Sequence, residues 1–271
     1  MTTSEQSSGP ATNSTVFHHV VVGVDGTAPG FEACRQAARL AAPDEPIDAV
    51  AVVHLADAVQ AGINAAHMAD VLARDAEAAL DEAVRILGAR ARKTFVNGYV
   101  VATLLREIER TRATVIALGS HGHRRVTEIL IGGVAGELLH NAPCSVLIAR
   151  PKGDPSGFPR SIVVGIDGSD DGDRALAAAR ELAARFDARL RIVTARDDTS
   201  VDIERALRAA PSTEVVDGDP VDVLVAAAGD ADIVVVGSRG LRGLRALGSV
   251  SERVAHQAAC SVLVVRSTPP T

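Results

Sequence analysis

Short unbroken apolar runs rich in Val and Ile alternate along this chain with longer stretches whose apolar positions recur at helical spacing. The first run, Val20 to Val24, leads into Gly23-Val24-Asp25-Gly26 and predicts a strand followed by a helix over Ala33 to Ala42. A second strand is expected over Ala49 to His54. Beyond it, roughly over residues 69 to 92, Val71, Leu72, Ala76, Ala79, Leu80, Ala83, Val84 and Leu87 share a helical face. A weaker strand is expected near Phe95 to Asn97, then a fourth over Val115 to Leu118, a glycine-rich loop, a helix, and a last strand over Val146 to Ala149. Strands that are apolar at every position belong to a parallel sheet covered on both faces, so the pattern predicts an α/β fold.

The same pattern then repeats. His19-Val-Val-Val-Gly-Val-Asp-Gly-Thr27 recurs as Ser161-Ile-Val-Val-Gly-Ile-Asp-Gly-Ser169, and Val115 to Gly122 recurs as Ile233 to Gly240. Cys144 to Arg150 recurs as Cys260 to Arg266. Three blocks in one order imply a duplication. The second copy predicts strands over Ile162 to Ile166, Leu190 to Thr194, Glu214 to Val216, Ile233 to Val236 and Val262 to Val265, with helices over Ala175 to Phe186 and from Asp219-Pro220. Asp25 and Gly119 lie 94 positions apart but Asp167 and Gly237 only 70, so the second copy lacks 24 residues, assigned to the long helix. The expected organisation is a disordered tail over 1–16, a domain over 17–150, a Pro- and Gly-rich linker over 151–160 and a shorter domain over 161–271.

Composition narrows the function classes. Aromatic residues make up 2% of the chain, too few for single-stranded nucleic-acid stacking platforms, and the net charge of −6 is no basic footprint. No apolar run reaches a membrane span, the first residues do not resemble a signal peptide, and three scattered cysteines fit a reducing compartment. The expectation is a soluble cytoplasmic protein without nucleic-acid or membrane partners.

Candidate chemistry sits at the predicted carboxyl ends of strands, where parallel sheets collect ligands. Nine residues separate Gly119-x-x-Gly122 from Gly132-Gly133, an arrangement that lets backbone N–H groups and a helix dipole approach a phosphate. No Walker A lysine follows these glycines. With the Val-Gly-Val-Asp-Gly strand end, Gly218-Asp-Pro220, Gly248-Ser-Val-Ser-Glu-Arg-Val254 and the two Cys-Ser-Val-Leu segments, the chain resembles the universal stress protein family over nearly its whole length. The resemblance implies two tandem open five-stranded parallel sheets of order 3-2-1-4-5, Rossmann-like, with helices on both faces. It also implies pairing of the two last strands into a dimer within the chain, with further homodimerisation left open. It implies adenine-nucleotide binding, with ATP, AMP or ADP as ligand and Mg accompanying the triphosphate. Asp25 and Asp167 would hold adenosine, with Leu55 and Ala195 beside adenine. Gly119, Gly122, Gly132 and Gly133 would cradle phosphate in the first copy, and Gly237, Gly240, Gly248 and Ser249 in the second.

Two departures from the family pattern bear on these sites. Gly133 replaces the family's hydroxyl residue, and seven residues rather than nine separate Gly240 from Gly248. The first domain is therefore expected to be the better site. Competing roles remain for several residues. Asp25 and Asp167 also suit turn-forming side chains, and the glycines suit tight turns without a ligand. His121 and His123 lack the partners of a metal site, and Arg124, Arg125, Arg239, Arg242 and Arg245 suit either phosphate or solvent. Cys144 and Cys260 read as small buried thiols, and His54, ending its strand, as a packing or hydrogen-bonding residue. The resulting expectation is a nucleotide-binding stress or signalling module with no residues dedicated to fast hydrolysis, against a slow ATP hydrolase or a structural pseudo-dimer with decayed sites.

Overall fold

The structure, a computed structural model, describes residues 17–54, 65–120, 131–151, 157–197, 202–238 and 250–267. Its first half runs β1 (Val20–Gly23), α1 (Ala28–Leu40), β2 (Ile47–Val53), α2 (Ala65–Leu87), β3 (Ala91–Asn97), α3 (Val100–Thr111), β4 (Val115–Gly119), α4 (Gly133–Asn141) and β5 (Ser145–Ala149). The second half repeats it as β6 (Ser161–Gly165), α5 (Asp170–Phe186), β7 (Arg189–Arg196), α6 (Ile203–Ala209), β8 (Glu214–Asp217), α7 (Pro220–Ala227), β9 (Ile233–Gly237), α8 (Val250–Gln257) and β10 (Ser261–Val265).

Both halves have strand order 3-2-1-4-5 with parallel pairing, and they join edge to edge into one ten-stranded sheet, β3-β2-β1-β4-β5-β10-β9-β6-β7-β8. Successive β1 residues face opposite sides, as the two-residue period of a strand requires. Val20 and Val22 pack under α1 and α2, whereas Val21 packs with Leu104 of α3 and Leu138 of α4. Each of these two apolar layers continues across the join: Leu147 and Leu263 share one, Val146 and Val264 the other.

At the join β5 and β10 run antiparallel, with Leu147 opposite Leu263. The contacts follow an approximate two-fold axis, the self-complementary arrangement of an isologous interface. Arg150 N–H donates to Ser261 Oγ at 3.0 Å, and Arg266 N–H to Ser145 Oγ at 3.1 Å. The Arg150 guanidinium donates to the carbonyls of Ala255 (2.6 Å) and Cys260 (3.2 Å) in the other half. Arg266 does the same in reverse, to Leu139 and Ala142. Gln36 breaks the symmetry, donating to the Arg150 carbonyl at 3.1 Å and accepting from Ser261 Oγ at 2.9 Å.

Several element limits differ from the sequence expectation. Helices α1 and α5 start at Ala28 and Asp170, five residues early, because Thr27 and Ser169 cap them. Their hydroxyl oxygens accept from Gly30 N–H at 3.2 Å and Gly172 N–H at 3.1 Å. Apolar spacing marks only where each helix meets the sheet. Strand β3 begins at Ala91, since Arg92, Lys93 and Thr94 tolerate a sheet edge with one neighbour. The length difference between the halves falls in the crossover from second to third strand, where α2 has 23 residues and α6 only 7. Within the predicted linker, 151–160, Phe158 is buried in the core and its carbonyl accepts from Arg39 Nε at 2.9 Å.

Candidate functional site

The turn after β1 is built by Asp25. Its Oδ1 accepts from the Thr27 N–H at 3.0 Å and the Thr27 hydroxyl at 2.7 Å, and Thr27 in turn caps α1. Asp167 does the same with Ser169, at 2.9 and 2.5 Å. Gly26 and Gly168 hold φ of +75° and +74°, the left-handed conformation that glycine adopts without penalty. A Cβ at Gly30 would collide with Asp25 Oδ1, and one at Gly172 would lie 2.8 Å from Asp167 Oδ1. The unit is therefore Asp-Gly-[Thr/Ser]-x-x-Gly. Its second glycine, Gly30 or Gly172, stands in both copies of the repeat, so the signal for it is present in the sequence.

Gly119 and Gly237 sit at the carboxyl ends of β4 and β9, where α1 and α5 begin. A Cβ at Gly119 would lie 2.6 Å from the Pro29 carbonyl carbon and 2.7 Å from Gly30 N; one at Gly237 would lie 2.5 Å from Asp171 O. Helix-on-strand packing thus requires both glycines. Gly133 is different. It is exposed at the first turn of α4 with nothing within 4 Å of a Cβ, after an N-cap, Gly132, that offers no side chain to the helix N–H groups.

Asp25, Gly119, Gly132 and Gly133 line one cleft of about 910 Å³. It opens at the carboxyl ends of β1 and β4, between neighbouring strands whose helices cover opposite faces, the switch point of such a sheet. Val50 to His54 of the second strand and its end form one side, Leu72, Asp75, Ala76, Ala79 and Glu82 of α2 another, and Val100, Leu104, Val134 and Ala135 a third. Helix α2 meets the β1 turn at Ala79, so its preceding 14 residues extend about 21 Å further along its axis. The lining is mostly apolar, with the carboxylates of Asp25, Asp75 and Glu82 among its polar groups; Glu82 is ion-paired with Arg85. His54 lines the cleft, and its ring meets that of Tyr99 in a tilted contact, with 4.4 Å between centroids and 33° between planes.

In the second half Asp167 and Gly237 occupy the equivalent strand ends. There the chain entering α6 crosses directly over the turn: Asp202 N–H donates to the Asp167 carbonyl at 3.1 Å, and a Cβ at Gly168 would meet the Asp202 carbonyl. Ala195 requires correction. It lies within β7 and is buried, not past the strand end. Gly23 pairs with Val50, and Gly165 with Val193, so Ala195 corresponds to Val52, and His54 corresponds to Asp197. The apolar runs of β2 and β7 align equally well three residues out of step, and only pairing with β1 and β6 fixes their register. Leu55, Gly122, Gly240, Gly248 and Ser249 lie outside the described residues, as do His121, His123, Arg124, Arg125, Arg239, Arg242 and Arg245.

Burial pushes the Cys34 and Cys144 thiols up to about 12, which leaves them protonated and unreactive, and Cys260 is buried as well. Among the described residues no helix is long and apolar enough to cross a membrane.

Comparison with known proteins identifies the frame. The model of the universal stress protein family matches residues 17–150, 159–215 and 210–266. A universal stress protein of Mycobacterium tuberculosis is 33% identical over 187 residues, a match covering 58% of this chain and 63% of that protein's length. One from Mycolicibacterium smegmatis is 29% identical over 295 residues, covering 93% and 98% of the two chains. The crystal structure of a universal stress protein from Archaeoglobus fulgidus superposes with a TM-score of 0.74 at 22% identity, covering 92% of this chain and 98% of that one, a likeness of fold. With the family model matched in both halves and the duplicated 3-2-1-4-5 sheet in place, this chain belongs to the universal stress protein family.

Proposed function

We propose that this chain is an adenine-nucleotide-binding stress-response or signalling module whose working site is the cleft of the first half, over the domain 17–150. The observation that carries this reading is the cleft itself: about 910 Å³ at the switch point, bounded by Asp25 and by the N-terminus of α4. Its volume and apolar walls suit a nucleoside, and the N–H groups of the first turn of α4 suit a phosphate. The residues present fit the nucleotide in that sense. Gly132 and Gly133 would hold phosphate through backbone N–H groups, Asp25 would face the ribose through the carboxylate oxygen not committed to Thr27, and Val50 to His54 would flank the base. In the second half, 161–271, the Asp202 segment over Gly168 supports a weaker or smaller site. The three buried thiols fit a cytoplasmic protein.

A structural pseudo-dimer is the second reading, and a specific observation favours it. Turn formation accounts for Asp25 Oδ1 and Asp167 Oδ1, and packing accounts for Gly119 and Gly237. One experiment separates the two. Freshly purified protein is denatured, the released small molecules are identified by mass, and the stripped protein is offered millimolar ATP. Adenine nucleotide near one per chain supports the first-half site. Neither released nor rebound nucleotide leaves the pseudo-dimer.

A further inference from the structure

Different helices stand over the equivalent strand ends of the two halves, and they are fastened differently. Helix α2 buries Ala79, Leu80, Ala83 and Leu87 in the core. Helix α6 fully buries Ala206 alone among its seven residues. Its other ties are polar and run mostly to α5. Arg205 donates one guanidinium nitrogen to Asp170 Oδ1 at 2.5 Å and to Asp173 Oδ2 at 2.8 Å, and Arg180 donates to the Ala209 carbonyl at 3.2 Å. Asp170 and Asp173 belong to the first turn of α5, whereas the first turn of α1 has no acidic residue and offers no counterpart. A segment held by solvent-accessible ion pairs and one small buried side chain opens at low cost. On the same side of the sheet lies Thr194 of β7, since it shares a strand face with Ile192, and Ile192 shares its core layer with Ala206 and Ala210. Thr194 is equivalent to Ala51, which lines the first-half cleft. Thr194 is 1% exposed, and its hydroxyl has no hydrogen-bond partner among the described residues. A buried hydroxyl left unpaired penalises the closed form, and the penalty ends when water or a ligand reaches it.

We infer that α6 is a displaceable strap, latched to α5 by Arg205, and that the second-half nucleotide site is present but covered until the strap lifts. The inference rests on the nucleotide reading of the first-half cleft, carried to the equivalent strand ends. Its content is that the second site is closed, not lost. The affinity of a site available only in an open fraction of molecules is reduced by that fraction. Releasing the latch therefore tightens the second site by the factor that raises the open population, and leaves the first-half cleft as it was.

The test joins two measurements on the full chain: hydrogen exchange of the α6 amides and calorimetric titration with Mg-ATP. The variants are Arg205→Ala, the double variant Asp170→Asn/Asp173→Asn, which breaks the same latch from α5, and all three together. Exchange in α6 should speed up roughly threefold to tenfold in the first two, the scale of two accessible ion pairs. The weaker ATP site should tighten by the same factor while the tighter one stays unchanged. Combining the substitutions should add nothing further, because they remove one interaction. Unchanged α6 exchange in the first two variants overturns the latch. Faster exchange with no change at the weaker site shows that α6 covers no site and overturns the strap. Either result leaves the first-half nucleotide site standing. Binding of no ATP by wild type or any variant overturns the nucleotide reading, and the covered site with it.

Discussion

Replacing Gly119 by alanine separates packing from ligand binding. The added Cβ would meet three backbone atoms at 2.6, 2.7 and 2.9 Å: the Pro29 carbonyl carbon, Gly30 N and the Pro29 oxygen. Main-chain atoms at the start of a helix cannot rotate aside as a side chain does, so α1 must move by roughly 0.5–0.8 Å to restore ordinary contact. Overpacking of this kind costs about 1–3 kcal/mol. The displaced segment also carries the Thr27 cap and the Asp25 turn, where a lost cap costs about 1 kcal/mol more. Gly119→Ala is therefore expected to destabilise by about 2–4 kcal/mol, which lowers Tm by roughly 5–15 °C in a chain of this size. Gly133→Ala is the control, since its Cβ meets nothing within 4 Å and alanine is the better helix former. It should melt at or slightly above the wild-type temperature. Circular-dichroism melts and urea midpoints measure both, with ATP dialysis alongside. A Gly119→Ala protein that melts within about 1 °C of wild type would refute the packing argument. If that protein also lost ATP, the glycine would serve the ligand instead.

Three further outcomes follow from the geometry. Thr27→Ala and Ser169→Ala should each cost about 1 kcal/mol in urea denaturation, and the double variant their sum, because the two caps share no partner; a marked departure from additivity would contradict the independence of the turns. Arg150→Met keeps the bulk but leaves the Ala255 and Cys260 carbonyls without their donor, while relieving a buried charge whose pKa burial has pushed down to about 10. A net loss of about 1–3 kcal/mol is expected, and no loss would show that the clamp does not hold the join. Burial raises the Asp48 pKa above its ordinary 3.8, so ionisation penalises the folded state as pH rises through the unfolded and then the folded value. Asp48→Asn should therefore gain stability over wild type at pH 7 and lose that advantage below the ordinary value; an advantage that persists in acid would contradict this origin.

Much of the fold was legible because it is local. Val20 to Val24 and its copy read as buried parallel strands, and the duplicated blocks read as two similar units. Less was legible where a residue's role depends on a distant neighbour. Gly119 looks like a phosphate glycine until Pro29 and Gly30 are found against it. Ala195 looks like the partner of Leu55 until the pairing with β6 shifts the alignment by three. Tyr99 carries no sequence signal at all, being a single aromatic residue 45 positions from the ring it touches.

The division has a physical cause. Apolar periodicity, Asp-Gly-Thr and Asp-Gly-Ser turns and hydroxyl caps act within a few residues, so the chain by itself determined the α/β class, the duplication and the placement of Asp25 at a strand end. Register, the antiparallel join of β5 with β10, the arginine clamps across it and the wall of the cleft arise from surfaces that meet only once the sheet has formed. Which strand end becomes a cavity depends on what covers it. The sequence gives α2 its extra length, but that this helix stands beside an open cleft in the first half, whereas the Asp202 segment lies across the equivalent turn in the second, was decided only by the tertiary structure.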